Sequence, residues 1–157
     1  MNMREAIASI QRNLDEIIAL TQNVQDELLR WKPAEDKWSI MEVLCHVEEA
    51  VHYWLDEITR LLEQPGCEWG RGLQDAARLA AVAGADRRSL SDVLEGIRRS
   101  KERARIVLEP LNPEQLAAEA PSRNPRFGVK PLSFIVDHLL VEHTSKHVEQ
   151  IKRNMEQ

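Results

Sequence analysis

Only two cysteines, Cys45 and Cys67, occur in 157 residues, so nothing points to a disulfide framework or an oxidising compartment. No apolar run approaches the roughly 18 residues needed to span a bilayer. A basic balance is missing too: the net charge is -5, which argues against nucleic acid as a partner. The opening Met1-Asn2-Met3-Arg4-Glu5-Ala6 passes straight into a charged helical pattern where a secretory signal would need an apolar core. Internal repeats, low-complexity tracts and convincing strand patterns are also lacking. These absences read as a cytoplasmic protein with no membrane and no nucleic-acid partner. Apolar residues make up 43% and charged residues 30%, the balance of a soluble globular chain. Residues 1–157 suffice for a single domain with a real core and are too few to argue for two.

Four segments carry helical periodicity. Over residues 3–30, Ile7, Ile10, Leu14, Ile17, Thr21, Val24 and Leu28 alternate at spacings of three and four, which predicts one long helix with one buried face. After Pro33 and a polar stretch, Ser39 and Glu42 form a capping-box pattern that opens a second helix running to about Glu63, where Pro65-Gly66 stops it. Leu73 to Val82 predicts a short Ala-rich helix between Gly72 and Gly84. A third long helix opens near Ser89 or Ser91 and runs to Glu109. Residues 110–130 carry four prolines and predict a loop with one turn at Glu114 to Ala118. Pro131 suits the first turn of a fourth helix ending near Met155. The expected fold is all-α, a four-helix bundle with long connections between helices 2 and 3 and between 3 and 4. The short connection between the first two makes them expected antiparallel neighbours.

Three histidines occupy positions that the pattern assigns to apolar side chains. The stripe of the fourth helix reads Val136, Leu140, His143, His147, Ile151, and His46 lies toward the interior side of the second. Four residues turn an α-helix by about 400°, so His143 and His147 sit one turn apart on one face. A third imidazole from a neighbouring helix would complete a three-nitrogen metal site with an open position. The other reading is a set of partly exposed histidines with separate hydrogen bonds. His52 lies about 120° round the helix from His46, and His138, nine residues before His147, points to the opposite side. Both read as surface or inter-subunit residues.

Known metal patterns narrow the choice. His143 and His147 have zincin spacing, but Thr144 stands where the Glu general base belongs. A ferritin-like di-iron bundle needs two Glu-x-x-His motifs, and Glu49-Ala50-Val51-His52 has no second copy. A mononuclear three-histidine site between helices 2 and 4 survives.

Two further stretches carry a family likeness. Trp38-Ser39-Ile40-Met41-Glu42-Val43-Leu44-Cys45-His46-Val47, with Arg30-Trp31-Lys32-Pro33 before it, resembles the Trp-Ser entry into helix 2 of the DinB-like superfamily, the DinB/YfiT-like metalloenzymes. His143-Thr144-Ser145-Lys146-His147-Val148-Glu149-Gln150-Ile151 is similar to that family's His-x3-His-x-x-Gln ending. The resemblance extends along essentially the whole chain. It implies a four-helix bundle, often a homodimer, that binds a divalent metal through His46, His143 and His147. It also implies a small-molecule substrate and an S-transferase or isomerase reaction with a low-molecular-weight thiol. Val148-Glu149 replaces the Arg-Gly common in relatives, and Thr144 a frequent Glu, so no subfamily follows.

A three-histidine metal with an open position can act as a Lewis acid or lower the pKa of a bound water or thiol. That leaves a metal-dependent thiol transferase, a metal-dependent hydrolase, and a non-catalytic metal- or ligand-binding dimeric bundle. Glu49, one turn from His46, is the catalytic candidate: an acceptor for the outer N–H of a ligand histidine, a general base or a fourth ligand, against an ordinary solvated helix Glu. Glu42, Glu49 and Tyr53 are the expected pocket walls. Cys45 reads as a small packing residue. Trp31, Trp38 and Trp54 read as packing at helix ends and junctions, and Trp69 as a pocket wall or dimer contact. The run Arg98, Arg99, Lys101, Arg103, Arg105 reads as a solvated face, with an anion site as the alternative. Imidazole suits Zn, Ni, Fe and Cu, so the sequence does not name the metal.

His143→Ala is expected to abolish tight metal binding and His138→Ala to leave it nearly unchanged. Equal retention in both variants, read by elemental mass spectrometry, sinks the three-histidine assignment.

Overall fold

The computed structural model describes residues 2–156. Helix α1 (Met3–Thr21) opens on Asn2, whose side chain accepts from the Glu5 N–H. It buries Ile7, Ile10, Leu14 and Ile17, the predicted stripe. It does not continue to residue 30. The buried Thr21 hydroxyl donates to the Ile17 carbonyl, Gln25 is extended, and a separate five-residue helix α2 (Asp26–Arg30) follows. The break moves the apolar register by one, so Leu29 is buried and Leu28 only half-buried.

Helix α3 (Ile40–Glu63) carries the predicted capping box, with Ser39 accepting from the Glu42 N–H at 3.1 Å and Glu42 accepting from the Ser39 N–H at 2.8 Å. The short Ala-rich helix is α4 (Ala76–Ala83), and it starts after Leu73 because Asp75 caps it. Ser89 caps α5 (Leu90–Leu108). The predicted turn is α6 (Pro113–Ala117), held by an Asn112–Gln115 capping box.

Strands were not expected, yet β1 (Glu119–Pro121) and β2 (Val129–Pro131) pair antiparallel. The segment is too short and too proline-rich to show alternation. Pro121 and Pro131 take strand ends, where a missing N–H is tolerated. Trp69 bridges to Ser122 beside this hairpin, so the connection after α3 is tied to the connection before the last helix.

The last helix runs from Leu132 to Met155 without a break, but it is not uniformly α. It comprises α7 (Leu132–Phe134), a π-helical stretch over Ile135–Glu142, and α8 (His143–Met155). Pro131 precedes it as the N-cap, one position before the expected first turn. The π register frees carbonyls that an α-helix would use. Asn13 of α1 donates to the Val141 carbonyl at 3.3 Å and to the Thr144 hydroxyl at 2.9 Å, and that hydroxyl donates to the Leu140 carbonyl at 2.7 Å. Thr144 is buried in this hydrogen-bond network on the side of α1.

The four long helices form the bundle. The first two are not the neighbours that their short connection suggested. α1 packs on α5 and the last helix, and α3 packs on α5 and the last helix from the other side. α2 makes the difference: it docks on α3 and carries the chain across the bundle end, and Arg30 donates to the Ala85 and Arg88 carbonyls. Ile10, Leu14, Leu44, Leu55, Ile58, Ile97, Leu108 and Ile135 are fully buried at the centre. Each contributes about 1.5–3 kcal/mol of apolar burial. No helix among the described residues is long and apolar enough to cross a membrane.

Ser39→Ala removes the side-chain bond to the α3 N-terminus and is expected to cost about 1 kcal/mol. The urea midpoint measures this, and an unchanged midpoint would mean the cap carries no stability.

Candidate metal centre

His46 reaches the bundle interior from the second turn of α3, and His143 and His147 from the first two turns of α8. The two helices pack against each other, and the imidazoles converge. The Nε2 atoms of His46 and His143 are 3.3 Å apart, and those of His147 and His143 are 2.9 Å apart. One ligand atom from each ring lies within 4.8 Å of the others. His46 and His147 are buried, and His143 is half-buried.

The orientation of His147 is set by its other nitrogen. Its Nδ1–H donates to Gln150 Oε1 at 2.7 Å, which leaves the Nε2 lone pair facing the cluster. Such an outer partner fixes tautomer and ring plane at a metal-binding histidine. His46 Nδ1 is buried and meets no partner among the described residues.

The rings are held neutral. Burial first, then the charges of its neighbours His147 and His143, push His46 down to about 2. Burial and His147 push His143 down to about 3, with Lys146 and Arg78 adding to the effect. Burial lowers His147 to about 4, against the opposing pull of the Gln150 bond. Neutral imidazole is the form that ligates metal.

The donor set fits a divalent ion. Protons cannot satisfy three lone pairs aimed at one point, because each N–H serves one neighbour, whereas one cation accepts all three. Bonds of about 2.0–2.1 Å place tetrahedral ligand nitrogens about 3.3 Å apart and octahedral neighbours about 2.9 Å apart. The His46–His143 and His143–His147 Nε2 separations, 3.3 and 2.9 Å, fall on those values.

All three histidines line a cavity of about 950 Å³. Its walls differ from the expected ones. Glu42 is held at the Ser39 cap, Tyr53 lies under the Arg71 guanidinium at 3.8 Å, and Glu49 is bound bidentately by Arg71 at 2.5 and 2.7 Å. None of the three lines the cavity. Its walls are Trp38, Trp54, Phe127 and residues of the α3–α4 connection, together with Arg78 and Lys146. Sequence reasoning missed these because the connection around residues 66–75 has no period that would place it. Gln150 had a visible signal, three residues after His147.

His138 is also a wall residue, which corrects its assignment to the opposite side. At 3.6 residues per turn His138 would lie on the opposite side from His147. With π-type i→i+5 bonding through Glu142, more residues fill each turn, and His138 swings to the face of His143. Its Nδ1–H donates to Glu142 at 3.0 Å, and its ring stacks on Phe134. His52 instead bridges α3 and α5, meeting the Gly96 carbonyl at 3.3 Å and Arg103 at 2.9 Å.

The remaining residues divide simply. Burial drives the Cys45 thiol up to about 11, the state of an inert packing residue. Trp69 is buried, donates to the Ala120 carbonyl at 2.9 Å and lines a second, smaller cavity of about 180 Å³. The basic run on α5 is spent in ion pairs with Glu95, Asp15, Asp56, Glu102 and Glu109.

Fold and site together define a four-helix bundle with a three-imidazole centre opening into a cavity. A family model of the DinB superfamily matches residues 9–151, and the chain belongs to that superfamily. Among solved structures it is similar to YfiT from Bacillus subtilis, at 14% sequence identity and a TM-score of 0.82 over 97% of this chain and 85% of that one. YfiT is described as a probable metal-dependent hydrolase with an unusual four-helix bundle topology. No curated protein matches the chain.

The neutral imidazoles have a consequence for stability. In the unfolded chain they titrate near 6.5, whereas the fold refuses their protons until about 4, 3 and 2. The unfolded state therefore binds more protons below 6.5, and the metal-free fold loses stability as pH falls through that value. Urea midpoints between pH 6.5 and about 5, above most carboxylate titration, are expected to fall with pH, less steeply in His143→Ala. Equal slopes would mean that His143 takes its proton in the fold.

Proposed function

We propose that this protein is a metal-dependent enzyme in which His46, His143 and His147 hold a divalent ion (Zn, Ni or Fe). The observation that carries this reading is the convergence of the three Nε2 atoms on a cavity large enough for a small-molecule substrate. A purely structural site would be closed by a fourth protein ligand. Glu49, the nearest sequence candidate for that role, is engaged by Arg71 instead, and the described residues offer only three donors to the cluster.

When bound, the ion supplies Lewis acidity and lowers the pKa of a coordinated nucleophile. The chain's own residues do the rest. Gln150 holds the His147 ring plane, Trp38 packs at 5.0 Å against His46, and Trp54 and Phe127 give the cavity an apolar side. Glu49 is tied to Arg71 in the ground state, so its part is to position that arginine rather than to move a proton.

The nucleophile we favour is a low-molecular-weight thiol, which makes the protein an S-transferase. Membership of the DinB superfamily supports this. Hydrolysis is the second reading, and the description of YfiT favours it. The family likeness also suggests a homodimer, which analytical ultracentrifugation reads directly.

Protein purified without an affinity tag or chelator is expected to hold about one metal ion per chain, lost in His143→Ala. The loaded protein should then consume a model electrophile faster with added thiol than without. Thiol-independent turnover of an ester would favour hydrolysis. A metal-free protein that rejects added divalent ions would remove the enzyme reading's main support.

A further inference from the structure

The cavity that reaches the three histidines is basic in a chain whose net charge is -5. Five cationic side chains line it, Arg71, Arg78, Arg126, Lys146 and Arg153, against one carboxylate, Glu142. Arg71 is neutralised by Glu49 and Asp75, and Glu142 is held by His138. The other four cations make no ion pair among the described residues. Elsewhere the same chain pairs its arginines freely, as along α5.

Arg78 is the informative one. It is half-buried, and its Nη1 donates to the Leu73 carbonyl at 3.1 Å. Its guanidinium stands 5.7 Å from the centre of the Trp38 ring, which itself lies 5.0 Å from the His46 ring. Burial, and then the like charge of Arg71, pull Arg78 below the usual arginine value. A half-buried guanidinium that makes no ion pair leaves its charge available to an anionic ligand. It sits beside the reaction centre with most of its planar donor fork uncommitted.

The other cations surround the same space from different elements. Lys146 and Arg153 lie seven apart on α8, on the side of His147 and Gln150, and Arg126 comes from the loop before β2. Charges on three separate elements suit a ligand with more than one anionic group.

We propose that the cavity binds a small organic dianion, bearing carboxylate or phosphoryl groups, with one oxyanion on Arg78 and its other end at the three histidines. Guanidinium takes either oxyanion through two parallel hydrogen bonds. The apolar surfaces of Trp54 and Phe127 would hold the carbon skeleton between the charges. This names the substrate class for the site proposed above and so rests on that reading. The anion subsite itself needs no metal to be tested.

The test is a titration of the full chain, metal-free and zinc-loaded, followed by the indole N–H resonance of Trp38 in two-dimensional NMR. The probes are succinate, inorganic phosphate, and butyrate as the monoanion of matched length. Succinate or phosphate is expected to give a saturable shift in the metal-free protein, at least about tenfold tighter than butyrate and weakened by added sodium chloride. Arg78→Gln should weaken it about tenfold or more. Lys146→Gln, an exposed position that cannot threaten folding, should weaken it several-fold, and Arg98→Gln on the far surface should not. Which probe wins identifies the oxyanion. Absence of saturable binding by both dianions, equal affinity for butyrate, or indifference to both Arg78→Gln and Lys146→Gln would overturn the proposal. Metal content is read on the same samples. A chain that binds no metal but passes the dianion test would sink the enzyme reading alone.

Discussion

The site depends on three carboxylates of α3, each fixed by an arginine from an irregular segment or the same turn. Glu48 meets Arg88 at 2.5 and 3.1 Å, Glu49 meets Arg71, and Glu57 meets Arg60 and Arg123. Glu57 is the most deeply buried of them and also accepts the Gly70 N–H at 2.7 Å and the Tyr53 hydroxyl at 3.2 Å. Burial pushes its carboxyl up, but the bonds from Arg60 and Gly70 outweigh that and hold it below the ordinary value. Such pairs add little net stability, yet losing one partner strands a buried charge. They act as address labels. The connections before α4, before α5 and before β2 have no periodic apolar face of their own, and these pairs determine where they lie. Gly96 belongs to the same scheme, because a Cβ there would fall 1.5 Å from Glu48 Oε2.

With the connections fixed, the interior can carry three imidazoles that no local rule would leave there. Their packing is dense: the ring centroids of His46, His143 and His147 lie 4.3 to 5.1 Å apart. At that distance, and out of water, protonated rings would repel one another, so the fold selects the neutral form and with it the lone pairs. The π stretch before His143 contributes in a second way. It lets Asn13 of α1 anchor the helix from behind, while turning His138 and Glu142 toward the cavity.

The distribution of charge separates fold from function. Cations on α5 and at the Arg88 corner have nearby acids and serve packing or surface pairing. Around the cavity only Arg71 is paired, with Glu49 and Asp75; Arg78, Arg126, Lys146 and Arg153 make no ion pair among the described residues, although nothing in their local sequence distinguishes them. Arg78 sits in an Ala-rich helix that would otherwise read as filler.

The sequence by itself determined the long helices, their caps and the histidine trio, because these rest on local rules: apolar period, a side chain bonding a backbone N–H three residues on, and the one-turn spacing of His143 and His147. Ser39, Ser89 and the stripe of α1 were legible for that reason. His46 was legible as the third partner from its interior place in the second helical pattern, and the family likeness agreed with it. Tertiary structure alone decided the break at Thr21, the diagonal placement of α1 and α3, the short β pair, the π register that re-aimed His138, and the replacement of Glu42, Glu49 and Tyr53 by Arg78 and its companions around the cavity. Most of these are settled by contacts between residues far apart in the chain, such as Asn13 with Val141 or Arg71 with Glu49. Pairings of that kind leave no period in the sequence, since their energy exists only once the bundle has closed.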